Sequence, residues 1–175
     1  TYKVEIPTGI ESYTIIMMDG FISRSWLDFI SFGETGTGGW ASDNGTLCCI
    51  KSLYDLESDE FKISFLKHEA QHAYDKKKFK DLTATTLEYR AKLVELIYWP
   101  NEDMIKKIFT EADNSNPDNS HAVSSYRIIN RMSQKLFNCD YVNDEKAWEG
   151  KVRDVKSYAF ELLDESSRIL LQSIK

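Results

Sequence analysis

The residues best suited to chemistry are two histidines four positions apart, with a glutamate directly after the first. They are His68, Glu69 and His72, in the segment FLKHEAQHAY. On a helix this spacing places both imidazoles on one face, where they can bind the same metal ion. The Glu69 carboxylate, one step further round the helix, can hydrogen-bond a water on that ion and accept its proton. The pattern predicts a metal centre that activates water, and the alternative is a solvated helix face that happens to carry two imidazoles.

A third protein ligand must come from elsewhere in the chain, because a catalytic site of this kind has three protein ligands and leaves the fourth position to water. Asp75 lies on the same helical face as His68, but seven residues further on, roughly 10 Å along the axis. It is better placed to orient His72 or a neighbouring cation. Glu88 and Glu95, in the segment TTLEYRAKLVEL, are the remaining candidates.

The segment FLKHEAQHAY, residues 65–74, resembles the extended His-Glu-x-x-His signature of the zincin metallopeptidases. The order of strand-rich part, motif helix and later ligand helix is also similar to theirs, and the resemblance covers about residues 40 to 100. It implies a zinc ion, hydrolysis of a peptide bond, His68 and His72 as zinc ligands, and Glu69 as general base. The glycine and further histidine of the metzincin variety are missing after the motif, which excludes that subfamily.

Glu88 gains support from the same resemblance, because zincins of the glutamate type take their third ligand from the next helix. Glu88 with Ala91 resembles their Glu-x-x-Ala pattern, so Glu88 is the preferred ligand and Glu95 the reserve. A different interpretation is that Thr85 and Glu88 form a capping box. In that case the carboxylate would bind a backbone N–H at the start of the helix instead of a metal ion.

Peptide hydrolysis also needs a donor that stabilises the oxyanion of the tetrahedral intermediate. His121 is the only other histidine, and Tyr126 follows it in the segment HAVSSYRIIN, near the predicted start of a helix. Both are candidates for this catalytic role. The alternative for His121 is a surface position at the end of a polar loop.

The predicted secondary structure that positions these residues changes from strands to helices at residue 58. Before it, strand-like segments alternate with glycine, among them TYKVEI, SYTIIMM, SWLDFI and LCCI, and Asn44-Gly45 predicts a hairpin turn. Cys48 and Cys49 are expected to pack on opposite faces of a strand. Residues 38–50 are expected either to form an edge strand that binds the substrate backbone or to form an ordinary hairpin strand.

Helices are predicted beyond Ser58, which is itself expected to be an N-cap. After the motif helix, the predicted helices cover residues 83–99, 101–110, 121–137 and 144–173. The predicted fold class is α+β, with a small N-terminal mixed sheet followed by a helical portion that carries the motif helix. We expect one zincin-like domain over residues 1–175, strand-rich at 1–57 and helical at 58–175.

Composition narrows the possible functions. The chain is 42% hydrophobic and 13% aromatic, which favours a packed globule, and its formal charge of −6 argues against a general nucleic-acid binder. No apolar run approaches the roughly 18 residues needed to span a bilayer. Three cysteines do not make a disulfide framework. Because the chain begins at Thr1, we expect that a leader or upstream segment precedes it.

Together, these features predict a zinc-dependent metallopeptidase that acts on a peptide or protein substrate through a water activated by Glu69. One alternative is a catalytically inactive zincin-like module with a binding or regulatory role. Another is a helical interaction domain in which the motif arose by chance. No compartment, oligomeric state or cleavage specificity follows from the sequence.

Overall fold

The computed structural model describes residues 1–20, 26–32, 38–41 and 46–172. These residues form two compact units, Thr1–Ala73 and Tyr74–Lys175, and the boundary between them falls inside the helix that carries the motif. Every strand in the described part of the chain belongs to the first unit, and the second unit is built from helices. The α+β class with a small N-terminal sheet is therefore confirmed.

Short strands make up most of the first unit. They are β1 (Tyr2–Ile6), β2 (Gly9–Tyr13), β3 (Ile15–Met18), β4 (Gly39–Ala41) and β5 (Leu47–Ile50). β1 and β2 form an antiparallel hairpin. The other three form a sheet of order β3-β5-β4, in which β3 runs parallel and β4 antiparallel to β5. This is the predicted mixed sheet, with β5 at its centre.

The central strand β5 carries the two adjacent cysteines. Cys49 is fully buried and Cys48 is partly exposed, as expected for neighbours on opposite faces of a strand. Burial raises the pKa of the Cys49 thiol to about 11. The Cys49 thiol therefore stays protonated at neutral pH and packs as a small apolar side chain.

One strand prediction for this region was wrong, and another was right except for a break of one residue. The segment predicted as a strand at residues 25–30 contains the helix α1 (Trp26–Ile30), in which the rings of Trp26 and Phe29 stack with centroids 5.5 Å apart. Apolar residues three apart share a face on a helix, whereas a strand needs a period of two. The run SYTIIMM is divided between β2 and β3 at Thr14. The predicted turn at Asn44-Gly45 lies outside the described residues.

The motif helix is entered through a π-helical segment, Glu60–Lys67, and continues as α2 (His68–Lys78). The N-cap is Asp59, one residue after the predicted Ser58, although the Ser58 hydroxyl accepts a hydrogen bond from the Phe61 N–H at 3.2 Å. A Cβ at Gly39 would lie 2.3 Å from the Phe65 ring, so only glycine lets β4 pack this closely on the segment. The Tyr13 hydroxyl also donates to the Ala70 carbonyl at 3.0 Å, so strands of the first unit hold the start of α2.

The second unit consists of α3 (Ala84–Tyr98), α4 (Asp103–Glu111), α5 (Ser120–Phe137) and α6 (Val152–Gln172), with α3 packed against both α5 and α6. The helix predicted at 144–173 is in fact a 3-10 turn, Glu145–Trp148, followed by α6. Gly150 has a φ of +72° between them, a conformation that ends a helix and favours glycine. None of the helices in the described chain combines the length and apolar character needed to cross a membrane.

Candidate metal centre

The two motif histidines lie at the beginning of α2, and both are buried. His68 is 9% exposed and His72 is 8% exposed. Their ring centroids are 4.6 Å apart and the ring planes meet at 88°. Two buried imidazoles this close on one helix face can present nitrogen atoms to the same ion. The alternative of a solvated helix face is therefore wrong.

The surroundings of the pair suit a site on a packed helix. Glu69 is partly exposed, whereas Ala70 and Ala73 on the same helix are buried. Since successive residues of a helix are about 100° apart, Glu69 lies beside His68 without sharing the face of the two imidazoles. The arrangement of two donors and an adjacent carboxylate is the one expected from the sequence.

Glu88 occupies the fifth position of α3, and it does not cap the helix. The N-cap is Thr83, which has an extended backbone and whose hydroxyl accepts from the Thr86 N–H at 3.2 Å. Thr85 lies inside the helix, where its backbone N–H is no longer that of an N-cap. The capping-box interpretation of Thr85 and Glu88 is therefore wrong, and the carboxylate has a different role.

The carboxylate of Glu88 is in contact with His121, a residue that the sequence indicated only as an oxyanion donor. His121 Nδ1 lies 3.2 Å from Glu88 Oε2, and the Glu88 side chain is only 13% exposed, against 56% for His121. His121 is the second residue of α5, where the side chain of the N-cap Asn119 accepts from the Ala122 N–H. Nothing in the sequence pattern indicated this contact, because it depends on how α3 and α5 pack.

Tyr126, the other candidate donor, lies one to two turns further along α5. Its ring stacks on Tyr141 with centroids 5.1 Å apart and an interplanar angle of 18°, and it also lines a cavity in the second unit. The packing fixes the orientation of the phenol. The role of Tyr126 as an oxyanion donor stays a prediction.

Asp75 binds a neighbouring cation, one of the two roles expected for it. Its carboxylate accepts from Arg90 Nε at 2.8 Å and Arg90 Nη2 at 2.9 Å, and both side chains are fully buried. Arg90 also donates to Ser166 and Ser167 of α6. The pair and its serine partners connect the end of α2 to α3 and α6. Nothing in the sequence pattern indicated Arg90 as the partner of Asp75.

A second charge pair, with a buried lysine and a partly exposed glutamate, lies on the α4 and α5 side of α3. Lys92, which is 5% exposed, forms an ion pair with Glu111 and donates to the Ser125 hydroxyl at 2.9 Å. Burial by itself would raise the pKa of the Glu111 carboxyl, but the hydrogen bonds and the positive charge of Lys92 lower it below its usual value. Glu95, the reserve ligand, is also buried on α3, at 5% exposure. Its metal role stays a prediction.

Comparison of the chain with models of protein families, with curated proteins and with solved structures finds no match.

Proposed function

We propose that this chain is a zinc-dependent metallopeptidase of the zincin type, in which His68, His72 and Glu88 bind the zinc ion. The observation that carries the proposal is the pair of buried, adjacent imidazoles at the start of α2, with a glutamate directly after the first. Glu88 is the carboxylate that the sequence resemblance implies as the third ligand, and its side chain is only 13% exposed.

The chemistry of these donors fits zinc better than calcium or magnesium. Two imidazoles and one carboxylate form a ligand set that recurs in catalytic zinc sites and leaves one position open. Calcium and magnesium prefer oxygen ligands, so two histidines disfavour them. Glu88 also has a partner of the kind that orients metal ligands, because His121 Nδ1 lies against its carboxylate.

Zinc, when bound, would supply Lewis-acid activation of the scissile carbonyl and of a water molecule. Glu69 accepts a proton from the attacking water and passes it to the leaving amine. The hydroxyl oxygen of that water bonds to the carbonyl carbon, the C–N bond breaks, and no further reactant is consumed. His121 and Tyr126 are the candidate donors to the oxyanion.

An extended substrate has a suitable place in the first unit. β4 is at the edge of its sheet, because β5 is its one neighbour among the described strands. An unpaired strand edge can accept a peptide as an additional strand through backbone hydrogen bonds. We therefore propose that β4 binds the peptide backbone of the substrate. The close packing of Gly39 on Phe65 keeps this strand next to the segment that leads into α2.

The proposal is tested by metal analysis of protein purified without chelators, together with digestion of a denatured proteome peptide library. We expect about one zinc per chain and cleavage that a chelator abolishes and added zinc restores. Stoichiometric zinc without cleavage would favour a binding or regulatory module. The absence of stoichiometric metal would favour a helical interaction domain and contradict the proposal.

A further inference from the structure

The second unit contains a cavity of about 370 Å³ between α3, α5 and α6. Sites for small molecules are commonly about 300 to 1,000 Å³, so this volume suits a small ligand. One wall consists of Leu162, Ile169 and Leu170 of α6. Ile169 is 58% exposed, so it gives the apolar part of a ligand a surface to cover.

The opposite wall offers hydrogen-bond donors on fixed rings. Tyr89 of α3 and Tyr126 of α5 both line the cavity. Burial raises the pKa of the Tyr89 phenol to about 12, so the phenol remains protonated at neutral pH and can donate a hydrogen bond. The stacking of Tyr126 on Tyr141 keeps its ring in place.

One positive charge in the cavity has no acidic partner among the residues that the structure describes. Arg127 and Arg131 both line it, and Arg131 Nη2 lies 2.7 Å from Glu165 Oε2, which neutralises that charge. Arg127 forms no ion pair with any of the residues that the structure describes. The whole chain carries a formal charge of −6, so any attraction for an anion here must come from this local cation.

We propose that this cavity binds a small amphipathic carboxylate, with its carboxylate on Arg127 and its apolar body against Leu162, Ile169 and Leu170. A single uncompensated guanidinium suits a monoanion, which it can hold by paired hydrogen bonds. A phosphate or other polyanion would need further cations. Binding of a ligand in this cavity requires neither zinc nor peptidase activity, so this proposal can be tested independently of the proposed function.

Isothermal titration calorimetry with phenylbutyrate and its neutral amide, phenylbutyramide, tests the proposal. The two probes have the same apolar body and differ in charge. The titrations use the full chain with excess chelator, so that a failure of the zinc proposal does not affect them. We expect the acid to bind about tenfold more tightly than the amide. Equal affinities, or no measurable binding of either probe, would overturn the proposal.

Two variants measure separately what the charge and the apolar wall contribute to binding. Arg127→Gln should weaken binding of phenylbutyrate about tenfold and leave phenylbutyramide unchanged. Ile169→Ser should weaken both probes about equally. The matched control is Arg153→Gln, which changes the charge equally at an exposed arginine that does not line the cavity. Unchanged binding of the acid to Arg127→Gln, or the same loss in Arg153→Gln, would contradict the assignment. Circular dichroism confirms that the variants fold.

Discussion

Glu69 is the residue on which the proposed hydrolysis depends most directly, because it is the group that carries the proton. In Glu69→Gln the amide keeps the shape of the side chain but cannot act as a base. We expect cleavage of a fluorescent casein substrate to fall at least about 100-fold. Zinc content should not change, since no ligand is removed. Glu60→Gln, the same substitution at an exposed site nine residues upstream in the chain, is the control. Near wild-type cleavage by Glu69→Gln would sink the mechanism.

Glu88 is the proposed third ligand, and its competing capping role is excluded because Thr83 is the N-cap of α3. Glu88→Gln replaces an anionic oxygen donor by a weak neutral one. We expect zinc affinity to fall by more than about tenfold, since even the partners of metal ligands contribute about 10- to 100-fold. The measurement is a competition titration against a chromophoric chelator, with circular dichroism to confirm folding.

Glu95→Gln is the parallel variant for that titration, because Glu95 is the reserve ligand on the same helix. We expect it to bind zinc as the wild type does. If Glu95→Gln lost zinc while Glu88→Gln kept it, the ligand would have to be reassigned to Glu95. Wild-type affinity in both folded variants would remove α3 from the zinc site altogether.

His121 and Tyr126 differ in what they contact, and their variants should differ accordingly. His121→Ala removes the partner of Glu88, so we expect zinc to bind about tenfold more weakly and kcat to fall more than KM rises. Tyr126→Phe keeps the ring stack on Tyr141 and removes only the hydroxyl. We expect a smaller loss of kcat and no change in zinc affinity. If neither variant changes kcat, neither residue is the oxyanion donor.

At the scale of elements, the junction of α2, α3 and α6 rests on one fully buried ion pair. In Arg90→Met the Asp75 carboxylate stays buried but loses its cation, so we expect about 3 to 5 kcal/mol of destabilisation in urea unfolding. The double variant Asp75→Leu with Arg90→Met should recover much of that loss, because it removes both charges. A single variant as stable as the wild type would show that the pair contributes little.

The matched control for that comparison is Arg168→Met on α6. Arg168 pairs with Asp164, and the two side chains are 68% and 58% exposed. A solvent-exposed ion pair contributes little, so we expect a change below about 1 kcal/mol. A loss as large as that of Arg90→Met would indicate that burial of the ion pair is not what makes Arg90 important to stability.

The elements also show which parts of the fold a sequence can predict. Long periodic segments such as α3 and α5 were predicted to within a residue or two, because several turns of apolar spacing and a clear cap define them. α1 was missed because five residues are too few to separate a period of three from a period of two. The break before α6 was missed because a single residue, Gly150, decides it through its backbone conformation.

The candidate site also has a part that could be predicted from the sequence and a part that could not. The histidine pair and its glutamate follow from local helical geometry, which the sequence contains. The contacts of Glu88 with His121 and of Asp75 with Arg90 depend on packing between helices that are distant in the chain. No periodic pattern specifies such contacts, because polar side chains of many types occur at these positions. Sequence reasoning therefore identified the chemical groups but not their partners.

At the scale of the whole molecule, the free energy of unfolding should depend on pH through the titration of Glu111. Burial alone would raise the pKa of its carboxyl, but Lys92 and Ser125 lower it below its usual value. In the unfolded chain a glutamate titrates near pH 4.3, about its ordinary pKa. At a pH between these two pKa values the unfolded state binds more protons than the folded state. The stabilisation that the ionised Glu111 provides is therefore complete above the unfolded pKa. It is lost as the pH falls through the folded pKa.

Glu111→Gln tests this dependence, because the amide does not titrate and cannot neutralise Lys92. The Glu111 side chain is 37% exposed, so solvent screening reduces the effect, and we expect a loss of about 2 kcal/mol at neutral pH. The difference between wild type and variant should begin to shrink as the pH falls below about 4.3, and it should vanish once the pH is below the lowered pKa of the folded state, where the wild-type carboxyl is protonated as well. Urea unfolding at neutral pH and through the acid range measures this difference.

Glu161→Gln is the control, because Glu161 pairs with Lys135 and both side chains are more than half exposed. Its stability should follow that of the wild type at every pH. A difference between Glu111→Gln and wild type that stays constant with pH would mean that the carboxyl stabilises the fold by packing rather than by its charge.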